Sequence, residues 1–139
     1  MKRIDFYQLV DEAIRARENA YAPYSGFTVG AALLMADEKI YTGCNIENAS
    51  YSPTLCAERT AFAKAVSDGY RDKGDFMAIA VVGAPKGEEA KKPCAPCGVC
   101  RQVMAEFTDP DNFLVIMTDG EGIPEVHNLA ELLPMSFTL

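Results

Sequence analysis

Positive charge is scarce in this chain: 13 Lys and Arg stand against 20 Asp and Glu in 139 residues, a formal net charge of −7. A protein that grips a duplex or tRNA needs clustered cations to neutralise phosphates, so no nucleic-acid partner is expected. Long apolar runs are missing too. The longest nearly apolar stretches, residues 29–36 and 76–82, fall far short of the roughly 20 residues a membrane-spanning helix needs, which excludes a span and points to no membrane partner. Met1-Lys2-Arg3-Ile4-Asp5 leads into a charged amphipathic segment, unlike the apolar core of a secretory leader. The five cysteines are an odd number, ill-suited to a disulfide framework, so a reducing, cytoplasmic setting is expected. Histidine occurs once, at His127, in a polar stretch that reads as a solvated loop. Repeats, low-complexity tracts and linkers are absent. A single domain over residues 1–139 follows, large enough to bury a core with its 49% hydrophobic content.

What is present has a clear periodicity. Phe6, Leu9, Val10, Ala13, Ile14 and Ala20 recur at helical spacing, which predicts an amphipathic first helix ending before the turn-rich stretch 21–26. Residues 29–35 and 39–45 are β-type runs separated by Asp37-Glu38, an antiparallel hairpin. A second helix is predicted over 57–66, a buried strand over 76–82, a loop over 84–92, a third helix over 99–107, a strand over 113–117 and a short helix over 129–133 ended by Pro134. The order predicts an α/β fold: a mixed central sheet, antiparallel hairpin plus parallel strands joined by helical crossovers, flanked by helices.

Chemistry concentrates in Cys56-Ala57-Glu58-Arg59 and Pro96-Cys97-Gly98-Val99-Cys100-Arg101-Gln102. Cys97 and Cys100 are three apart, on one face of a helical turn, and thiolates are strong zinc ligands. With Cys56 they make three ligands at two helix starts, where the positive end of the helix favours the deprotonated thiol. Three protein ligands leave a fourth position open, the arrangement of a catalytic zinc, which acidifies bound water. Cys56 and Glu58 are two apart and must straddle the first turn to share a site, so the second helix should begin at about Cys56. Glu58 is then the proton shuttle, and Arg59 the cation that balances the thiolate charge.

The cysteines alone also fit a redox pair, unrelated core thiols, or a closed structural site with Cys94 as fourth ligand. Pro93-Cys94-Ala95-Pro96-Cys97 offers a second P-C-x-x-C register. A proline between Cys94 and Cys97 hinders the turn that would bring them to one face, so Cys97 and Cys100 are assigned as ligands and Cys94 is left free. The joint pattern, Cys-x-Glu followed by Pro-Cys-x-x-Cys, matches that of zinc deaminases, in which the glutamate is the acid/base and not a ligand. At the end of the second strand Asn45 and Glu47 face one way and Cys44 and Ile46 the other, making Cys44 a core thiol.

With those two motifs, Ala22-Pro23-Tyr24-Ser25-Gly26-Phe27-Thr28-Val29-Gly30-Ala31-Ala32, Gly43-Cys44-Asn45-Ile46-Glu47-Asn48-Ala49-Ser50-Tyr51-Ser52 and Leu132-Leu133-Pro134 followed by Phe137, the chain resembles the small, homotetrameric cytidine deaminases nearly end to end. The resemblance implies a three-layer sandwich and one Zn2+ per subunit. It implies hydrolytic deamination of cytidine and 2′-deoxycytidine at C4 of the base, with Glu58 moving the protons. It implies that Asn45 and Glu47 bind the ribose hydroxyls, that Phe27 packs on the pyrimidine, and that the backbone at Ala57 and Cys97 surrounds the base. Tyr51 and Phe137 are placed near the base as well, Phe137 from another subunit. A deaminase of a cytosine-nucleoside antibiotic or of a nucleotide is the alternative within the same chemistry, and an acidic Glu47 disfavours a phosphate beside it.

Overall fold

Asp5 sets the start of the first helix. In the computed structural model, which describes residues 3–139, its carboxylate accepts the Gln8 N–H at 3.0 Å, satisfying one of the unpaired donors of the first turn. Helix α1 (Phe6–Ala16) buries Leu9, Val10, Ala13 and Ala16, and one turn of 3-10 helix (Arg17–Asn19) ends it. Strands β1 (Phe27–Met35) and β2 (Ile40–Cys44) form the expected antiparallel hairpin. Helix α2 (Ala57–Ser67), strand β3 (Phe76–Pro85), helix α3 (Gly98–Phe107), strand β4 (Leu114–Thr118), strand β5 (Pro124–Asn128) and the single turn α4 (Leu129–Leu132) follow.

The strands make one five-stranded sheet in the order β2-β1-β3-β4-β5. β1 is antiparallel to β2 and to β3, β3 and β4 are parallel across the α3 crossover, and β4 and β5 are antiparallel. Alternation along β1 and β3 sorts side chains into two cores. Ala32, Ala78, Ala80, Val82 and Ile116 meet Leu9, Val10 and Ala13 of α1. On the opposite face Leu33, Met35, Ile79, Val81 and Val115 meet Ala61, Phe62 and Ala65 of α2 and Cys100, Met104 and Ala105 of α3. The result is three layers, helix, sheet, helices. Phe62 anchors the second core, stacked on Phe76 with centroids 5.4 Å apart and edge-on to Phe113 at 6.0 Å. Truncating such a ring costs about 3–5 kcal/mol.

Three sequence expectations are corrected. β3 runs through Ala84 and Pro85 rather than yielding to a loop at 84, because Phe27 and Thr28 pair with Pro85 and Ala84. The polar stretch at His127, read as a loop, forms edge strand β5. There His127 faces two carboxylates, with Nδ1 3.0 Å from Glu131 and Nε2 3.3 Å from Glu125, and is not simply solvated. Cys44 is half-buried and lies in neither core, and Ile46 is 40% exposed.

Candidate functional site

The same local geometry starts α2 and α3. Each helix has a cysteine at its N-cap, Cys56 at φ −76°, ψ 153° and Cys97 at φ −70°, ψ 169°, and neither makes a side-chain cap hydrogen bond. The sulfurs are left to face each other. Cys100 adds a third from the first turn of α3, fully buried. The three Sγ atoms all lie within 4.8 Å of one another, the one group of potential metal-ligating side chains among the described residues, and Cys97 and Cys100 are 3.6 Å apart. Tetrahedral zinc with bonds of about 2.3 Å separates its sulfur ligands by about 3.8 Å, so these residues fit that ion.

Why the two helix starts meet is a matter of packing. A Cβ on Gly43 would lie 2.4 Å from the Ala57 carbonyl oxygen and 2.7 Å from the Ala61 nitrogen. Only a missing side chain on β2 lets α2 approach so closely, and Thr60 reinforces the contact by donating to the Cys44 carbonyl at 3.1 Å. On α3, Arg101 donates to the Pro96 carbonyl at 2.8 Å and to that of Leu132 at 2.5 Å. It fixes the proline before Cys97 and ties the C-terminal segment to α3. Gln102 donates to the Phe137 carbonyl at 3.1 Å. Both residues belong to a motif visible in the sequence, but their tethering roles required knowing where the C-terminal segment returns.

The electrostatics match a thiolate cluster. The Cys56 thiol is pulled down to about 5, first by a hydrogen bond from Cys100 and then by Arg59, against the opposing effect of burial. Cys100, donating that proton and buried, is pushed upward. Arg59 donates to the Thr54 carbonyl at 2.9 Å and to Cys56 Sγ at 3.7 Å, and its buried Nε has no hydrogen-bond partner among the described residues. A guanidinium held this way would offset the single negative charge that three thiolates and one Zn2+ would carry. Glu58, 5% exposed, has its carboxyl raised above the ordinary range by burial and next by the Cys56 charge. A carboxyl raised above its ordinary value is better suited to accept a proton and give it back.

Cys94 stays outside the cluster. It does not belong to the group of sulfurs that lie within 4.8 Å of one another, and its half-buried thiol is raised to about 11, chiefly by burial and then by the Glu58 carboxylate, so it is not readily ionised.

Asn45 and Glu47 both turn toward the segment before and at the start of β1. The Asn45 side chain accepts the Val29 N–H at 2.8 Å and donates to the Phe27 carbonyl at 2.9 Å. Glu47 accepts the Tyr24 and Ser25 amides at 3.0 and 3.1 Å and the Ser25 hydroxyl, and the Ser25 hydroxyl, followed by those amides, holds its carboxyl below the usual range. Ala57 is fully buried, whereas Phe27 is 39%, Phe137 67% and Tyr51 92% exposed. None of those three rings pairs with another ring among the described residues.

Similarity to known proteins agrees with this geometry. A family model described as the cytidine and deoxycytidylate deaminase zinc-binding region matches residues 5–117. A cytidine deaminase from Sporosarcina psychrophila is 52% identical over 135 residues, covering 97% of this chain and 93% of that one. One from Halalkalibacterium halodurans is 51% identical, covering 97% and 96%. The crystal structure of cytidine deaminase from Burkholderia pseudomallei superposes with a TM-score of 0.86 at 48% identity, covering 96% of this chain and all of that one.

Proposed function

The chain belongs to the cytidine and deoxycytidylate deaminase family, and we propose that it hydrolyses cytidine and 2′-deoxycytidine to uridine and 2′-deoxyuridine with release of ammonia, a step of pyrimidine salvage. The observation that carries this is the convergence of three thiols at two helix N-termini with one buried carboxyl, Glu58, that is not a member of the ligand group. Cys56, Cys97 and Cys100 hold one zinc per subunit. When bound, the metal supplies a Lewis acid that lowers the pKa of water from about 15.7 toward about 7.

Glu58 then does the proton work. It accepts a proton as water oxygen adds to C4 of the pyrimidine, delivers that proton to N3, and carries the second proton to the exocyclic nitrogen. The C4–N bond breaks and the amine leaves as ammonia, so one water is consumed per uridine formed. A carboxyl whose pKa is raised by burial suits both halves of this transfer. The backbone at Ala57 and Cys97 lines the base, at helix starts whose N–H groups lack intrahelical partners.

Recognition of the sugar falls to Asn45 and Glu47. Their bonds to β1 and to the 24–25 turn fix them before substrate arrives, yet a carboxylate offers about four lone-pair sites and an amide nitrogen two hydrogens, so each keeps capacity for a ribose hydroxyl. A charged Glu47 disfavours a nucleotide phosphate nearby. Phe27 packs on the pyrimidine face. Tyr51 and Phe137, so exposed in one chain, suit a homotetramer in which Phe137 of one subunit closes the site of another. The whole of 1–139 is then one catalytic domain. Five unpaired cysteines fit a reducing cytoplasm, and no helix among the described residues is long and apolar enough to cross a membrane.

The closed four-cysteine alternative is disfavoured by a Cys94 outside the sulfur group. Purified protein assayed by ultraviolet absorbance against cytidine, deoxycytidine, cytidine monophosphate, adenosine and blasticidin S is expected to turn over the first two. Activity on the monophosphate alone, or on none, would contradict the proposal.

A further inference from the structure

Phe27 opens β1 opposite Pro85, and two residues on, Val29 stands opposite Gly83 of β3. Gly83 is buried and sits where three side chains converge. A Cβ on it would lie 2.8 Å from Phe27 Cε1, 2.8 Å from Cys94 Sγ and 3.2 Å from Val29 Cγ2. The first two separations are shorter than carbon and sulfur tolerate, so the Phe27 ring edge and the Cys94 thiol already fill the volume a side chain at 83 would take.

The backbone beneath this seat is held from both edges. Asn45 grips the Phe27 carbonyl and the Val29 amide. Arg17 donates from Nε to the Thr28 hydroxyl at 3.1 Å and from Nη2 to the Pro85 and Glu88 carbonyls at 3.1 and 2.9 Å. With the strands pinned, a new side chain at 83 is accommodated by moving the ring and the thiol. Cys94 packs with Val29 and Cys56 against the core that holds Cys100 and Ala57, so the seat adjoins the cysteine cluster as well as Phe27.

We infer that Gly83 is a positioning residue for the reaction: its missing side chain, with Cys94 as the neighbouring wall, fixes the pose of the Phe27 ring and thereby how the pyrimidine lies toward Glu58. The inference rests on Phe27 packing against the pyrimidine. It also gives Cys94, which packs at the margin of the core and is outside the ligand set, a place in the site.

The test is a double-mutant cycle on the zinc-loaded enzyme, reading kcat and KM for cytidine, zinc content and thermal midpoint for Phe27→Ala, Gly83→Ala and the pair. Gly83→Ala is expected to raise KM about tenfold with zinc retained, and to change KM less than about twofold once Phe27→Ala has removed the ring, the non-additivity of groups in contact. A Gly83→Ala enzyme with parental KM, or an undiminished effect in the Phe27→Ala background, overturns the inference while leaving Phe27 in its role. An unaltered KM in Phe27→Ala removes the ring–pyrimidine contact itself, and the inference with it. If Gly83→Ala does not fold, Cys94→Ala decides: a KM raised about threefold with full zinc supports the seat, and a parental KM refutes it.

Discussion

At the cysteine end of the site Cys100 is fully buried, Glu58 is 5% exposed, and β2 and the C-terminal segment lock both helix starts. At the nucleoside end Phe27, Phe137 and Tyr51 are 39%, 67% and 92% exposed. On the proposed function, one chain builds its bond-breaking apparatus completely and its recognition surface only in part. Physical demands explain the division. A ligand set and a proton shuttle lose most of their value with displacements of about 1 Å, so they sit on rigid, close-packed helix starts. Rings that cover a base gain by closing after substrate has entered, and in the proposed homotetramer a second subunit would supply the cover that one chain leaves open.

Substitutions at the two ends should separate. The largest effect belongs to Cys56→Ala, which removes a sulfur that no neighbour replaces: zinc content should fall below about 0.1 per subunit and turnover should vanish with it. Metal analysis showing one zinc per subunit would break the ligand assignment. Next comes Glu58→Gln, where zinc and assembly persist and kcat falls about 10^3–10^4-fold; near-parental kcat would take the proton transfers away from Glu58. At the nucleoside end, Phe137→Ala should raise KM for cytidine about tenfold, roughly the contribution of one buried aromatic contact, with full zinc. Loss of zinc in that variant would erase the distinction between the two ends.

The smallest effect lies outside both. The Glu131 carboxylate and then that of Glu125 raise the pKa of His127, so the folded state holds the proton more tightly than the unfolded chain. Its stabilisation is complete below the ordinary histidine value of about 6.5 and fades as pH rises through the raised folded value. His127→Ala should therefore lower the thermal midpoint at pH 6 and change it little at pH 9. An equal loss at both pH values would show that packing, and not charge, holds β5.

The contrast between the two ends also describes what could be read from residues alone. The starts of α2 and α3 were legible because cysteine spacing, proline placement and helical periodicity are local, and the structure brings Cys56, Cys97 and Cys100 into one group. Strand parity served less well beyond the end of β2 at Cys44: Asn45 and Glu47 both reach toward β1 and the turn before it, but Cys44 lies in neither core and Ile46 is exposed. Strand β5 was not legible: Pro124 and its polar neighbours have little β character, and an edge strand tolerates proline at its first position. Arg17 was missed as well, since its partners lie 11 to 71 residues away along the chain and guanidinium bonds to backbone carbonyls leave no mark on sequence. Gly83 escaped for the same reason, its role being set by Phe27 and Cys94, which meet only when β1 and β3 pair.

Zinc K-edge X-ray absorption on the purified enzyme distinguishes an open three-sulfur metal centre from a closed one. Three sulfur ligands at about 2.3 Å and one oxygen or nitrogen ligand at about 2.0 Å are expected, whereas four sulfurs in the first coordination sphere would rule out the open centre.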